Sequence, residues 1–223
     1  MFETLKQRWR QPPAREKSAG PRPGAGPAGV VVRAPIGELR VSNGLKQFFW
    51  GLDDRPHAAV LDLGPVWQAT VQLLAGLGCK IYSEDLLRAL EQAQMQRSNL
   101  PLPERFLASN LRYEPESLDG VLVWDILDYV PEELVTPLVE RFRENLRPGG
   151  VVLAFFHNRP EENFRFRRFR ITARDTVEMI DAPGGWKPQR IFQNRTLLNL
   201  FAAFRSSKTF LSRENLREAV FVK

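Results

Sequence analysis

A β-α-β pattern in the first half of the chain constrains its fold more than any other feature. The apolar run over 58–63 has the length of a buried strand and leads into Asp62-Leu63-Gly64, and the segment 66–77 has helical periodicity. A second short strand over 80–83 ends in Glu84-Asp85. In a doubly wound sheet, a carboxylate at the tip of the second strand holds the ribose hydroxyls of a nucleoside-bearing cofactor. The pattern therefore predicts a cofactor-binding α/β domain.

Composition argues against several kinds of site. The chain of 223 residues has room for one substantial domain with a buried core. The single cysteine, Cys79, excludes an intramolecular disulfide and a cysteine-rich zinc site, and only two histidines, His57 and His157, are available for a metal. We therefore expect no bound metal. No apolar run is long enough to span a bilayer and no secretory signal pattern is present, so we expect a cytoplasmic protein.

The chain divides into a tail and a globular domain. We expect residues 1–36 to form a flexible tail, because the stretch from Gln11 to Gly29 is rich in proline and glycine and has almost no large apolar residues. Residues 37–223 have the apolar patterning of one domain. Within that domain, 163–193 is expected to be an insertion that could cover a substrate pocket.

Strand and helix patterns alternate along the globular part. Each strand pattern before residue 160 is a short unbroken apolar run, which indicates a parallel sheet covered on both faces. Two strand patterns close to the C-terminus, Ser207–Leu211 and Arg217–Val222, predict an antiparallel hairpin. The predicted fold class is α/β, a doubly wound and mostly parallel sheet with helices on both faces and this hairpin at its end. Further strands are expected at Arg105–Ala108, 120–124, 151–156 and 176–180, and helices at 38–52, 85–95, 131–146 and 195–204, the last with Asn194 as its N-cap.

Four segments of the globular part follow one another in a characteristic order. Val60–Gly64 is an apolar strand that ends in an acid and a glycine, and Glu84-Asp85 is the acidic pair after the next strand. Ser117–Tyr129 is an apolar strand followed by an acid and a helix, and Leu146–Leu153 is a Leu-x-Pro-Gly-Gly turn before another apolar strand. They resemble, in this order, motifs of the class I S-adenosylmethionine-dependent methyltransferases. The resemblance covers about Gly37 to Lys223 and implies that family's Rossmann-like fold, whose sheet ends in an antiparallel strand.

The glycine-rich loop of that family is degenerate in this chain. Only Gly64 remains, and Pro65, Val66, Trp67 and Gln68 occupy the following positions. Glycines in such a loop let the backbone approach a ligand closely, whereas a proline fixes its own φ and removes an N–H donor. Trp67 is expected either to block the methionine end of the cofactor or to form one wall of its pocket.

The resemblance implies S-adenosylmethionine as cofactor and assigns a role to each matching residue. The methionine part would be faced by Asp62, Leu63, Gly64 and Pro65. Glu84 would accept hydrogen bonds from the ribose hydroxyls, with Asp85 as the alternate. The adenine would be bordered by Asn110 and Leu111, and the sulfonium would lie beside Trp124 and Asp125. Other interpretations stay open. Asp62 could be a turn carboxylate, Glu84 a helix-capping acid and Trp124 a residue of the core.

Methyl transfer from a sulfonium needs alignment more than acid-base chemistry, so no catalytic pair is required. No pattern identifies a catalytic residue, and Asp125 and His157 are the candidates, His157 as a base at the carboxyl edge of the sheet. Tyr129, His157 and Arg168 are the candidate substrate contacts. For Asp128 and Tyr129, a solvated turn and a buried ring are weighed about evenly against contact with a substrate.

The segment Phe164–Arg170 alternates phenylalanine and arginine. Arginines can contact phosphates and phenylalanines can stack on bases, so nucleic acid is a possible partner. A strand with one face on the core predicts the same alternation, and we favour that interpretation. No pattern predicts an oligomeric state.

The sequence therefore favours an S-adenosylmethionine-dependent methyltransferase of a small molecule. The alternative is a catalytically inactive methyltransferase-like binding protein, which the missing glycines would explain. A nicotinamide-dependent dehydrogenase is disfavoured, because Asp62-Leu-Gly-Pro65 lacks the glycine spacing that a pyrophosphate needs at a helix N-terminus.

Overall fold

The computed structural model describes residues 37–211 and 215–223, so the expected tail at 1–36 lies outside the described residues. The strands are β1 (Glu38–Val41), β2 (Ala59–Asp62), β3 (Lys80–Ser83), β4 (Leu118–Trp124), β5 (Leu146–His157), β6 (Arg167–Ala173), β7 (Thr176–Asp181), β8 (Ser206–Leu211) and β9 (Leu216–Val222). The helices are α1 (Asn43–Trp50), α2 (Gln68–Gly76), α3 (Leu86–Met95), α4 (Leu102–Ser109), α5 (Ile126–Tyr129), α6 (Glu132–Asn145) and α7 (Asn194–Leu200).

A six-stranded sheet with the order β3-β2-β4-β5-β9-β8 is the centre of the fold. The strands β3, β2, β4 and β5 are parallel, whereas β9 is antiparallel to both β5 and β8. The predicted α/β class and the C-terminal hairpin are therefore confirmed. The chain runs from β2 to β3 on one side and then crosses to β4 on the other side of β2. This change of direction is where open α/β sheets bind their ligands.

Helices cover both faces of this sheet. One face packs against α3, α4, α6 and α7 through buried residues such as Leu90, Phe106 and Leu138. The other face packs against α1 and α2, with Phe48 and Leu74 in its core. Burial of apolar surface at roughly 25 cal/mol per Å² is the main force that holds these layers together.

A second, three-stranded antiparallel sheet with the order β1-β7-β6 covers part of the face that carries α1 and α2. Its inward side chains Phe169, Ile171 and Val177 lie in the same buried cluster as Leu153 and Phe155 of β5. The segment 163–193 thus contains two strands whose side chains belong to the core.

Two predicted elements differ most from the structure. The helix expected over 38–52 begins only at Asn43, because residues 38–41 pair with β7 and the Ser42 side chain caps the helix by accepting from the Leu45 N–H at 2.9 Å. The strand expected at Arg105–Ala108 is wrong, since those residues lie in α4. Short apolar runs fit a buried helix as well as a strand. β3 is consequently the edge strand of the described sheet.

The predicted N-cap at Asn194 is displaced by one position. Gln193 is the N-cap of α7, and Asn194 is the first residue of the helix. The Oδ1 atom of Asn194 instead accepts a hydrogen bond from the Arg217 guanidinium. A tertiary hydrogen bond therefore engages the side chain that the sequence pattern predicted to cap the N-terminus of the helix.

Candidate active site

Four neighbouring parallel strands present polar side chains at one edge of the sheet. Along the order β3, β2, β4, β5, their carboxyl ends carry Glu84, Asp62, Trp124 with Asp125, and His157. Parallel strands end at the same edge, so residues that are far apart in sequence become neighbours there. The structure thus brings the predicted residues of these strands into one row.

Asp62 is almost fully buried, with 4% of its surface exposed. Its Oδ1 accepts hydrogen bonds from the Trp124 Nε1–H at 2.7 Å and from the Gly64 N–H at 2.9 Å. Burial raises the pKa of Asp62 to about 6, although both hydrogen bonds oppose this shift. The Asp62 carboxylate is therefore hydrogen-bonded to the Trp124 indole of the same chain.

The Trp124 side chain fills the space beside the Asp62–Pro65 loop. Its ring stacks on Phe169 with a centroid distance of 5.4 Å and an interplanar angle of 10°. Trp124 has a φ of 56°, in the left-handed region that bulky residues seldom adopt. A Cβ on Gly64 would lie 3.1 Å from Trp124 Nε1. Gly64 thus leaves the space that this indole requires.

Trp67 has a different neighbour. It is half-buried at the N-cap of α2, and the guanidinium of Arg170 lies 5.7 Å from its ring centroid. The tryptophan that packs on Asp62 and Gly64 is therefore Trp124. Leu63 is buried and Pro65 is half-buried next to them.

Glu84 is half-buried at the end of β3. Its Oε2 accepts from the Leu111 N–H at 3.1 Å and its Oε1 from the Tyr113 hydroxyl at 2.7 Å. Burial and the neighbouring Glu84 carboxylate raise the pKa of Tyr113, so Tyr113 remains a hydroxyl donor. An ionised carboxylate has about four lone-pair positions, so two protein donors leave Glu84 able to accept further hydrogen bonds.

Asp85 has two partners at the start of α3. Its Oδ1 accepts from the Arg88 N–H at 3.3 Å, which makes Asp85 the N-cap residue. The same oxygen lies 2.9 Å from the Arg168 Nη2, and the Arg168 guanidinium also lies 5.0 Å from the Phe166 ring centroid. Arg168 thus reaches the predicted edge of the site, where it is paired with Asp85.

Asn110 and Leu111 follow α4. The Asn110 side chain donates to the Phe106 carbonyl of its own helix at 2.9 Å. Leu111 is fully buried with a φ of 55°, and its backbone N–H points to Glu84. The Leu111 carbonyl accepts from the Asn145 amide at 3.3 Å. The backbone of Leu111, more than the side chain of Asn110, therefore borders the Glu84 carboxylate.

Asp125 and Tyr129 form a buried pair after β4. The Tyr129 hydroxyl donates to Asp125 Oδ2 at 2.8 Å. Burial raises the pKa of Asp125 to about 6 and also raises the pKa of Tyr129. The expectation of a buried Tyr129 ring is confirmed, because the residue is fully buried.

Asp128 is fully buried, so the solvated turn considered for it is wrong. Its Oδ2 accepts from the His157 backbone N–H at 2.7 Å and lies 2.8 Å from His157 Nδ1. The single turn of α5 places Asp128 against the end of β5. Its position three residues after Asp125, within the apolar run Ile126–Val130, is a sequence signal for a buried acid.

His157 combines burial with one available ring nitrogen. It is 8% exposed, and Nδ1 carries the proton towards Asp128 because that carboxylate oxygen is an acceptor. Among the described residues, Nε2 forms no hydrogen bond. Burial lowers the pKa of His157, but the Asp128 hydrogen bond and the charges of Asp125 and Asp128 outweigh it, so the net shift is upward.

The arginines of the Phe164–Arg170 segment are paired with carboxylates. Arg165 and Arg167 contact Asp181 at 3.3 Å, and Arg170 contacts Glu178 at 2.6 Å. Phe166 and Phe169 are buried. These pairings agree with the favoured interpretation of a strand with one face on the core.

Two residues of the site were not predicted. Tyr113 holds Glu84, and Phe169 holds Trp124. Phe169 belongs to the phenylalanine-arginine segment 164–170, but that pattern gives no sign of a contact with Trp124, which arises because β6 packs on the sheet. In the part of the chain that the structure describes, no helix is long and apolar enough to cross a membrane.

No protein-family model matches this chain, and no curated protein matches it by sequence. Solved structures do resemble it. The 1,6-didemethyltoxoflavin-N1-methyltransferase of Burkholderia thailandensis, solved with 1,6-didemethyltoxoflavin and S-adenosylhomocysteine, is 16% identical, with 81% of this chain and 76% of that chain covered and a TM-score of 0.45. A methyltransferase from Archaeoglobus fulgidus described as SAM-dependent is 12% identical, with 80% and 91% covered and a TM-score of 0.45.

A third structure, of SAM-dependent methyltransferases from Methanosarcina mazei, is 14% identical, with 76% and 93% covered and a TM-score of 0.43. Because these identities and TM-scores are low, no ligand or activity of this chain follows from these neighbours. The order and directions of the strands identify the fold, which is Rossmann-like, mostly parallel, and closed by an antiparallel C-terminal hairpin as in the class I methyltransferases.

Proposed function

We propose that this protein is an S-adenosylmethionine-dependent methyltransferase that acts on a small molecule. One observation carries the proposal. Glu84 lies at the end of the second strand of a β-α-β unit, is held by Leu111 and Tyr113, and keeps acceptor capacity on a half-exposed carboxylate. A carboxylate in this position is suited to the two hydroxyls of a ribose.

The residues present fit the nucleoside end of the cofactor. Glu84 would accept from the ribose, and the rings of Tyr82 and Tyr113, whose centroids are 5.2 Å apart, would border the base. The methionine end has less room, because the Trp124 indole packs on Asp62 and Gly64. Binding of the whole cofactor therefore requires the Trp124 side chain to move.

The remaining chemistry would come from His157 and its neighbours. The bound cofactor supplies a methyl group that is already activated, so the protein has to align the acceptor and take its proton where one is lost. Asp128 fixes the orientation of the imidazole and leaves Nε2 free to take that proton. Asp125 and Tyr129, which follow the neighbouring strand β4, complete the polar lining.

A second candidate is the catalytically inactive binding protein. The position of Trp124 favours it, because the indole is hydrogen-bonded, stacked and almost fully buried where the methionine part would lie. If the indole stays there, the protein would bind adenosine and reject the complete cofactor.

Calorimetric titration with adenosine, S-adenosylmethionine and S-adenosylhomocysteine separates the two candidates. We expect the wild type to bind the two sulfur-containing ligands and Glu84→Ala to lose about tenfold or more in affinity, since hydrogen bonds to a charged group contribute about 1.5–3 kcal/mol. The variant Trp124→Ala tests whether the indole blocks the cofactor. Trp50→Ala is its matched control, because Trp50 is exposed.

Each result has a definite meaning. Binding of adenosine alone by the wild type, with S-adenosylmethionine binding restored in Trp124→Ala, supports the second candidate. Absence of binding of all three ligands to the wild type and to a folded Trp124→Ala variant would overturn both candidates.

A further inference from the structure

A separate cavity opens at the carboxyl end of β5. It has a volume of about 330 Å³, at the lower end of the range for small-molecule sites. His157 lies in its wall together with Arg159, Phe164 and Lys187. Neither the Asp62–Pro65 loop nor Glu84 contributes to its lining. The cavity is therefore distinct from the space expected for a nucleoside.

The walls of this cavity are fixed by hydrogen bonds. On one side, Gln189 donates from its backbone and side chain to the Asp128 and Tyr129 carbonyls, both at 2.7 Å. Arg190 donates to the carbonyls of residues 127 and 130 and pairs with Glu132 at 2.8 Å. On the other side, the Asn215 amide donates to the Arg159 carbonyl at 2.9 Å. A cavity held on both sides is preformed, which lowers the ordering entropy of binding.

The lining of the cavity contains more cationic side chains than carboxylates. Arg190 is paired with Glu132. The other charged side chains of the lining are two cations at the rim, Arg159 and Lys187, and one carboxylate, Glu161. Glu161 itself accepts from the Asn215 amide at 2.9 Å. His157, whose pKa is raised, adds positive charge when it is protonated, and its Nε2 is the ring nitrogen not engaged by Asp128. Two rim cations and, when it is protonated, the His157 imidazole form a suitable set of donors for an anion.

We propose that this cavity binds a small organic anion, a carboxylate or a phosphate monoester, whose acidic group lies between His157 Nε2, Arg159 and Lys187 and whose apolar part packs on Phe164. The Phe164 ring centroid lies 5.3 Å from that of His157, so one ligand can contact both. Binding of this anion does not depend on the proposed function.

Nuclear magnetic resonance gives a direct test, because the chain has two histidines and only one of them lines the cavity. Benzoate and phenyl phosphate are the two anionic probes, and benzamide is the neutral isostere of benzoate. We expect an anionic probe to shift the imidazole resonances of His157, to leave those of His57 unchanged, and to bind at least about tenfold more tightly than benzamide. The anion that binds more tightly shows whether the cavity prefers a carboxylate or a phosphate monoester.

The variants Arg159→Gln and Lys187→Gln test the recognition. Both residues are exposed at the rim, so the substitutions leave the core intact. We expect each to weaken the anion about tenfold, and Lys46→Gln on α1 to have no effect. Equal affinity for benzoate and benzamide, or equal affinity of the wild type and both rim variants, would overturn the inference.

The probes are titrated without S-adenosylmethionine, which keeps the two proposals separate. Anion binding in a protein that binds no S-adenosylmethionine would leave this inference standing and the proposed methyl transfer without support. The reverse result would remove the anion site alone.

Discussion

At the scale of single residues, Asp62 illustrates how surroundings change the role of a motif position. Its carboxyl is buried, it holds Trp124 and Gly64, and its pKa is raised to about 6. Because the folded pKa lies above the unfolded value of 3.8, the stabilising effect of protonated Asp62 is complete below about pH 4. That effect is lost as the pH rises through about 6.

Asp62→Asn should remove this pH dependence. The carboxamide introduced by the substitution keeps an oxygen for the Trp124 and Gly64 donors and does not titrate. We expect the variant to gain stability relative to the wild type between pH 4 and pH 7, by about 2–3 kcal/mol at 1.36 kcal/mol per pKa unit. Urea unfolding at a series of pH values measures this difference. Asp54→Asn, at an exposed aspartate, is the control, and parallel curves for wild type and Asp62→Asn would contradict the prediction.

At the scale of elements, α1 shows a conflict between helix propensity and packing. Gly44 lies in its first turn, where alanine would be favoured by up to about 1 kcal/mol. A Cβ there would lie 2.8 Å from both Glu218 Oε2 and Leu153 Cδ1. The helix can approach the sheet this closely only with glycine at this position.

Gly44→Ala is therefore expected to destabilise the protein, by about 1–3 kcal/mol. Gly76→Ala at the end of α2 is the matched control, because a Cβ there meets no atom within 4 Å. That substitution should be neutral or stabilise by up to about 1 kcal/mol. Denaturant unfolding of both variants tests the argument, and a stabilised Gly44→Ala would show that α1 can shift away from β9.

At the scale of the whole molecule, one buried carboxylate joins the two sheets. Glu218 on β9 pairs with Arg40 on β1, accepts from the Ser42 hydroxyl at 2.9 Å, and accepts from the Gly44 N–H at 2.6 Å. These contacts connect the six-stranded sheet with the three-stranded sheet and with the start of α1.

Glu218→Ala should cost about 3–5 kcal/mol of unfolding free energy, because it removes the carboxylate paired with a buried guanidinium. Glu218→Gln keeps acceptors for Ser42 and Gly44 and should lose less. The control is Glu116→Ala, which removes an exposed pair with Lys223 and should cost under about 1 kcal/mol. Equal losses in Glu218→Ala and Glu116→Ala would mean that the two sheets are held by apolar contacts alone.

Prediction from sequence succeeded where a pattern is local. The strand at 80–83 and the C-terminal hairpin were recognised from apolar runs and turn residues. It failed at residues 38–41, whose strand exists only because β7 lies beside them, and at 105–108, where a short apolar run did not distinguish helix from strand. The carboxyl-edge positions of Asp62, Glu84 and His157 followed from the alternation of strands and helices.

The sequence by itself determined the doubly wound sheet and the edge at which its polar residues gather, because hydrophobic periodicity and turn chemistry act between neighbours in the chain. Only the tertiary structure decided what those residues contact. Trp124 packs on Asp62 because Phe169 of a different sheet lies against its other side, and Asp128 holds His157 because α5 ends beside β5. These contacts join residues 29 to 62 positions apart, and their geometry depends on how whole layers pack.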